Sequence, residues 1–315
     1  MLTTTLHRRL TVLALATALT GCASDGGGRH GSTTSTSTTP SPHCVEGDRT
    51  ATVAYKQVPG VSANLTSLDV HAPTTGCDLP VVVWVHGGGY QVGDKANAIA
   101  DKVRWANGHG WILVSVNYRL TNPGSPTSAQ YPDHYEDVAA AIAWVHDHIA
   151  DSGGDPAKLA VLGHSAGADI VSNVLVDPTY LHTYGLELSA VRCGGPLDTE
   201  GFDKPLAGAD EPDGEKLQWR VALGNEPDYL TKTSATLNVK PGIGIPAMIG
   251  VFRGTAQRQS IEQGFLAALR NAGITATTID ARGLTHGDVN RLIGAAGDTR
   301  MTPPLTSFLT NCFAG

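Results

Sequence analysis

The chain has 315 residues, of which 41% are hydrophobic, and a formal net charge of −7. The apolar content is enough for a substantial core and excludes a chain that is disordered throughout. Because no Lys/Arg cluster outweighs the acidic background, the charge also excludes a nucleic-acid partner.

The N-terminus has the composition of a targeting segment. Arg8 and Arg9 precede a short apolar stretch of about ten residues, too few to span a bilayer as a permanent helix. The sequence Leu-Thr-Gly-Cys that follows at Leu19–Cys22 resembles a bacterial lipobox, whose cysteine is lipidated after cleavage. This resemblance implies a signal peptide over 1–21 and a lipid anchor on Cys22, which would place the protein outside the cytoplasm on the cell membrane. An ordinary secretory signal with a coincidental cysteine is the alternative.

Residues 22–43 are rich in Gly, Ser, Thr and Pro, which predicts a flexible tether and leaves 44–315 as the folded domain. Apart from Cys22 the chain has four cysteines, an even number in an exported protein, which predicts two disulfides. Three connectivities are open. We favour Cys44–Cys77, which brackets the N-terminal strands, and Cys193–Cys312, which joins the last helix to a strand. No Cys-x-x-Cys spacing favours a metal site at these cysteines.

Strands and helices alternate along the rest of the chain, which predicts the α/β class with a mainly parallel sheet. Ligands are then expected at the carboxyl ends of the strands. The irregular segment 199–243, rich in Asp, Glu, Gly and Pro, is predicted to be a small lid or specificity insert. Strands are predicted over Arg49–Val58, Leu65–His71, a run ending at His86, Trp111–Val116, Lys158–Gly163, Glu187–Cys193, Ile245–Phe252 and Thr275–Ile279. Helices are predicted over Lys95–Ala106, a segment carrying Val138, Ile142, Val145 and Ile149, then Ala166–Val176, Ser260–Ala272, Val289–Ile293 and Pro304–Cys312.

Gly163–Gly167 reads Gly-His-Ser-Ala-Gly between a predicted strand and a predicted helix. This pattern is typical of a nucleophile elbow, in which a strained serine sits between glycines that remove colliding β-carbons. Ser165 is therefore the predicted nucleophile. The helix that begins at Ala166 directs its first N–H groups at the serine oxygen.

His86–Gly89 reads His-Gly-Gly-Gly directly after a buried-type strand. Glycines at this place let backbone N–H groups approach a bound carbonyl oxygen. We therefore expect the N–H groups of Gly87, Gly88 and Ala166 to form an oxyanion hole.

A serine nucleophile needs a general base, and the chain has 12 histidines. His286 follows the last predicted strand, which is the place of the base in the chain order Ser, acid, His. His164, inside the elbow, is expected to point away from the pocket, and His86 to brace the oxyanion loop. His146 and His148 are expected to be solvated.

Together, His86–Tyr90, the helix motif of Asp137–Trp144, Gly163–Gly167 and the late His286 resemble the α/β-hydrolase superfamily over roughly residues 50–300. The nearest branch is that of carboxylesterases, arylformamidases and bifunctional feruloyl/acetyl esterases. The hormone-sensitive-lipase-like branch ranks second. Its members usually carry a helical cap before the glycine motif, whereas the residues between the tether and His86 are predicted here to be strands. The resemblance implies an α/β-hydrolase fold, with helices on both faces of the sheet and a small lid insert, and no metal or organic cofactor.

The triad acid departs from this pattern. In the family it usually follows the strand corresponding to Ile245–Phe252 as Gly-x-x-Asp, but here that place ends in Gln257. Asp198, one strand earlier, is the preferred replacement, although it could instead cap a turn. Gln257 itself, Glu262 and Asp280 are the other candidates.

These observations predict a membrane-tethered serine carboxylesterase that cleaves a small-molecule ester through an acyl-enzyme on Ser165, with no protein partner implied. An amidohydrolase of arylformamidase type would use the same residues. A non-catalytic lipoprotein binding module is the second alternative, motivated by Gln257.

Overall fold

The computed structural model describes residues 43–47 and 50–315. The predicted signal peptide (1–21), Cys22 and all but the last residue of the predicted tether (22–43) lie outside the described residues. Across the described ranges, no helix combines the length and the apolar character needed to cross a membrane.

Among the described residues, eight strands form one sheet and two form a second, smaller one. The strands are β1 (Cys44–Glu46), β2 (Ala51–Ala54), β3 (Ser67–His71), β4 (Thr75–Cys77), β5 (Leu79–Val85), β6 (Ile112–Val116), β7 (Gly154–His164), β8 (Cys193–Leu197), β9 (Ala247–Phe252) and β10 (Ala276–Asp280). The large sheet has the order β10-β9-β8-β7-β5-β6-β3-β2. Its pairs are parallel except β3 with β6 and β2 with β3, which are antiparallel. The predicted mainly parallel α/β fold is confirmed.

Helices cover both faces of this sheet. They are α1 (Ala100–Gly108), α2 (Asp133–His148), α3 (Ala166–Val176), α4 (Pro178–His182), α5 (Lys204–Ala207), α6 (Leu217–Leu223), α7 (Tyr229–Lys232), α8 (Ala235–Asn238), α9 (Ala256–Asn271), α10 (His286–Arg291) and α11 (Thr302–Ala314). Alternate residues of β5 enter different clusters: Val81, Val83 and Val85 pack with α2, α3 and α9, whereas Val82 and Trp84 pack with α1, α10 and α11. The alternation of a strand thus supplies two apolar layers.

Both disulfide bonds are present with the predicted pairing. Cys44–Cys77 joins β1 to β4, in which the two cysteines stand opposite each other. Cys193–Cys312 joins β8 of the large sheet to α11. The second bond therefore ties the C-terminal helix to a central strand.

The strand predicted over Glu187–Cys193 was wrong, because the strand runs over Cys193–Leu197. Its Cys-Gly-Gly-Pro-Leu sequence has no β-branched residue and reads as a loop. The glycines are there for packing: a β-carbon on Gly194 would lie 2.6 Å from a methyl of Leu175, and one on Gly195 would lie 2.4 Å from a methyl of Leu162.

Several further predictions need correction. The helix predicted over Ser260–Ala272 begins four residues earlier, at Ala256, where the Thr255 side chain accepts a hydrogen bond from the Arg258 N–H. The first helix begins at Ala100 rather than Lys95. The Lys95 N–H donates a hydrogen bond to the Asn117 side-chain oxygen, and Ala98 has a positive φ of 52°, which a helix does not allow. The helix predicted at Val289–Ile293 begins three residues earlier, where Thr285 and Asp288 form a capping box. The segment 199–243 was expected to be irregular but contains the four helices α5–α8.

Candidate active site

The predicted nucleophile Ser165 lies between β7 and α3 with φ 58° and ψ −120°. A β-carbon on Gly163 would lie 2.4 Å from the Gly167 carbonyl oxygen, and one on Gly167 would lie 2.4 Å from the Val85 carbonyl oxygen. Only glycine fits at either place, so the turn can be this tight only with the observed residues. The serine is thereby raised at the carboxyl end of the strand, as a nucleophile elbow requires.

The glycine loop after β5 is braced by His86, as expected. The imidazole of His86 is stacked on Tyr118, with ring centroids 4.4 Å apart, and its Nδ1 donates a hydrogen bond to the Gly87 carbonyl oxygen at 2.7 Å. Burial lowers the pKa of His86, so its ring is neutral at neutral pH. A β-carbon on Gly88, whose φ is +128°, would collide with the Val92 carbonyl. The loop is therefore a packed turn rather than a flexible one.

The predicted base His286 is the first residue of α10, and His164 lies against it. The two rings are 4.5 Å apart between centroids, and His164 Nε2 donates to the His286 carbonyl oxygen at 2.9 Å. Burial and the positive charge of a protonated His286 lower the pKa of His164 to about 4. His164 thus stays neutral and supports the backbone of the predicted base.

The acid candidate Asp198 follows β8 with a positive φ of 64° and is 3% exposed. Its Oδ2 accepts a hydrogen bond from His286 Nδ1 at 2.6 Å and another from Arg253 Nε at 2.5 Å. Its Oδ1 accepts from the Arg258 guanidinium at 2.7 Å. Burial alone would raise the pKa of Asp198, but the hydrogen bond from His286 and the charge of Arg258 hold that pKa well below its usual range.

The other acid candidates lie elsewhere. Gln257 donates to the Leu206 carbonyl oxygen at 3.2 Å and approaches Asp210 at 3.4 Å. Glu262 is buried, and burial raises its pKa well above the ordinary value. Asp280 is paired with Arg282 at 2.5 Å. Of these candidates, all within the described ranges, Asp198 is the one that hydrogen-bonds the predicted base.

The chain is similar to known esterases in sequence and in fold. Residues 31–186 match the model of the carboxylesterase family. Carboxylesterase NlhH of Mycobacterium tuberculosis is 30% identical over 231 residues, which cover 69% of each chain. This chain belongs to the carboxylesterase family. Para-nitrobenzyl esterase of Bacillus subtilis is 32% identical over 142 residues, 43% of this chain but only 29% of that enzyme. The structure of esterase Est2 from Thermogutta terrifontis has a TM-score of 0.62 at 23% identity and covers 84% of this chain and 91% of its own, which shows the α/β-hydrolase fold.

Within the part of this carboxylesterase-family chain that the structure describes, two cavities that open beside Ser165 stand out. The first, of about 240 Å³, is closed on one side by the segment 199–243. Polar side chains of Thr199, Glu200 and Gln218 line it. The second cavity, of about 450 Å³, lies along the glycine loop and reaches Val92. An ester bound at Ser165 can therefore place its acyl and alcohol groups in separate spaces.

Several residues of the site carry no motif and were missed from the sequence. Arg258 bridges Asp198 and Glu200, and Lys216 from the segment 199–243 pairs with the same glutamate at 2.7 Å. Gly89 lines the first cavity together with Ser165, although only Gly87 and Gly88 had been predicted from this loop. The signal for Gly89 was present, since it belongs to the same glycine run.

His164, Asp198 and His286 offer ligand-type atoms within 4.8 Å of one another, the arrangement that can hold a metal ion. In this structure, however, His164 Nε2 and His286 Nδ1 both serve in hydrogen bonds, to the His286 carbonyl and to Asp198. A chain of hydrogen bonds that orients a histidine suits proton transfer.

Proposed function

We propose that this protein is a serine carboxylesterase with Ser165 as nucleophile, His286 as general base and Asp198 as triad acid. The observation that carries the proposal is the 2.6 Å hydrogen bond from His286 Nδ1 to Asp198, at the edge of the cavity that also contains Ser165. The carboxylate fixes the tautomer of the imidazole, so that Nε2 is free to accept the serine proton. Family membership supports the same reaction class.

In the proposed reaction Ser165 attacks the ester carbonyl while His286 takes the serine proton. The proton then passes to the leaving alcohol, and water, activated by His286, hydrolyses the acyl-enzyme. Asp198 remains ionised and stabilises the imidazolium that forms in both steps, in keeping with its lowered pKa.

The oxyanion is held by backbone N–H groups of the glycine loop and of Ala166 at the start of α3. Gly87 and Gly88 remain the predicted donors, and we add Gly89 because it lines both cavities together with Ser165. Removing one such donor in a serine hydrolase typically lowers kcat by about 10²–10³-fold.

The smaller cavity supports a short substrate group with hydrogen-bonding capacity. Its volume of about 240 Å³ is below the ~300–1,000 Å³ of drug-sized ligand pockets. Glu200 and Gln218 reach it from the segment 199–243, and none of the described residues that line it has a long aliphatic side chain. We assign the acyl group to this smaller cavity. Acetyl esters should then be cleaved faster than octanoyl esters, and a Gln218→Leu variant should narrow that difference in rate.

The alternatives receive less support. The binding-module hypothesis was motivated by Gln257, but Asp198 supplies the hydrogen bond that Gln257 does not make. An arylformamidase would use the same residues, and a panel of matched esters and amides separates the two activities.

We also propose that the protein is a lipoprotein anchored outside the cytoplasm through Cys22. The support is the order of basic pair, short apolar stretch and Leu19–Cys22 in the sequence. The proposal is tested by detergent phase partition. We expect the wild-type protein to enter the detergent phase and the Cys22→Ser variant not to enter it.

The catalytic assignment is tested by treating the purified protein with a fluorophosphonate probe and sequencing the labelled peptide. We expect the label on Ser165 and its loss in Ser165→Ala. Ser172→Ala is a matched control, because Ser172 lies two turns further along α3 and is fully buried. A folded wild-type protein that takes no label would refute the proposed function.

A further inference from the structure

A buried carboxylate lies one helical turn after the nucleophile. Asp169 donates its backbone N–H to the Ser165 carbonyl oxygen at 3.0 Å, and its side chain is completely buried. Oδ1 pairs with Lys204 Nζ at 2.7 Å, and Oδ2 accepts hydrogen bonds from two tyrosines, Tyr90 at 2.5 Å and Tyr135 at 2.9 Å. Because Lys204 is also fully buried, the pair is held entirely inside the protein.

The two tyrosines come from different elements. Tyr135 lies on α2, whereas Tyr90 directly follows the glycines of the proposed oxyanion hole. Lys204 comes from α5, in the segment that closes the smaller cavity. Asp169 thus connects α3, the glycine loop and that segment at one point.

Tyr90 has a backbone conformation that an aromatic residue rarely adopts. Its φ is +66°, in the left-handed region, where non-glycine residues occur only if their surroundings hold them. The contacts that hold it include the phenol hydrogen bond to Asp169 and the hydrogen bond from the Thr121 N–H to the Tyr90 carbonyl oxygen at 2.8 Å. The Tyr90 ring also packs against His134, with centroids 5.4 Å apart. The side chain is 1% exposed, so the hydroxyl serves Asp169 rather than a ligand.

We propose that Asp169 and Tyr90 are positioning residues for the oxyanion hole. Asp169 holds the Tyr90 phenol, Tyr90 holds its own backbone in the left-handed conformation, and that conformation sets the direction of the N–H groups of Gly88 and Gly89. Since such donors act only when aimed at the place of the developing oxyanion, a small rotation of the loop lowers the rate without preventing substrate binding. The inference rests on the proposed function.

The test compares Tyr90→Phe with Tyr135→Phe. Both substitutions remove one hydroxyl from the same oxygen of Asp169, and both leave an aromatic ring in a buried site. Tyr90→Phe is expected to lower kcat for a short-chain ester about tenfold, less than the ~10²–10³-fold of deleting a donor, with KM nearly unchanged. Tyr135→Phe is expected to keep kcat within about twofold, although both variants melt at a lower temperature than wild type.

A transition-state analogue gives a second readout that a purely structural role would not move. The serine oxygen adds to the carbonyl carbon of a trifluoromethyl ketone, and the former ketone oxygen of the resulting hemiketal becomes an oxyanion. The inhibition constant of this ketone should therefore rise in Tyr90→Phe by the same factor as kcat/KM falls. Equal kcat losses in the two variants, or an unchanged kcat and inhibition constant in Tyr90→Phe, would overturn the inference while the esterase function stands. A wild-type protein without esterase activity would refute the proposed function and this inference with it.

Discussion

Replacing Asp198 by asparagine tests the proposed triad at its acid, which lies one strand earlier than the family pattern predicts. The substitution keeps the size of the side chain but removes the negative charge that faces His286 at 2.6 Å. It also leaves the cationic side chains of Arg253 and Arg258 beside a neutral amide. The imidazolium that forms in each proton transfer then loses the attraction of the carboxylate, but it is still repelled by the two arginine side chains.

The magnitude follows from the geometry. With charge centres about 4 Å apart and an effective dielectric constant near 20, a carboxylate stabilises an imidazolium by about 4 kcal/mol. A barrier higher by about 4 kcal/mol corresponds to a rate about 10³-fold lower. We expect kcat/KM of Asp198→Asn to fall by about that factor, with a larger effect on kcat than on KM.

The assay is steady-state hydrolysis of a chromogenic acetyl ester by Asp198→Asn, with Gln257→Ala as the matched control. Gln257 occupies the usual place of the acid in the family, yet it bonds the Leu206 carbonyl and not His286. We therefore expect Gln257→Ala to retain activity within about twofold. If Asp198→Asn keeps more than about a tenth of kcat/KM, or if Gln257→Ala loses more than Asp198→Asn, the assignment of the acid is wrong.

Three further predictions concern the surroundings of the site. Burial raises the pKa of Glu262, so the folded protein keeps a proton that the unfolded chain releases above about pH 4.3, and stability is lost as pH rises from there. Glu262→Gln should thus add at least about 1 kcal/mol to the unfolding free energy at pH 8 and little at pH 4, and equal effects at both pH values would contradict this. His164→Phe keeps a ring against His286 but removes the 2.9 Å hydrogen bond to its carbonyl; kcat should fall about fivefold with KM unchanged, and a change in KM alone would argue against positioning. Replacing both Cys193 and Cys312 by serine should lower the unfolding free energy by about 2–4 kcal/mol in denaturant titrations, and an unchanged midpoint would show that the 119-residue loop contributes nothing.

The parts of the site that could be predicted from the sequence are those whose function depends on a local backbone shape. Gly163–Gly167 and the His86–Gly89 run must contain glycine because of contacts made within a few residues or with the adjacent strand. Such constraints leave a pattern in the sequence. The start of the helix after the elbow, at Ala166, was predicted for the same reason.

The parts that could not be predicted depend on contacts between distant segments. His286 and Asp198 were predicted, but Asp198 only as the preferred one of four acid candidates, because the hydrogen bond that selects it joins residues 88 positions apart. Arg253 and Arg258 flank the expected acid position, but their partner Asp198 follows the neighbouring strand β8. Strand β8 was misplaced because its glycines are required by close contacts with the side chains of Leu175 and Leu162. The local sequence does not reveal these contacts.

The altered acid position can be understood from the sheet itself. Strands β8 and β9 are parallel neighbours, so their carboxyl ends meet at the same edge, and a carboxylate after either one can reach His286. With Asp198 after β8, the end of β9 supplies no negative charge. Arg253, directly after β9, and Arg258, in the first turn of α9, both donate hydrogen bonds to Asp198 instead. The chain order Ser165, Asp198, His286 is unchanged. The physical requirement is a fixed carboxylate at Nδ1 of the base, and the fold can meet it from either strand as long as the adjacent strand provides the compensating contacts.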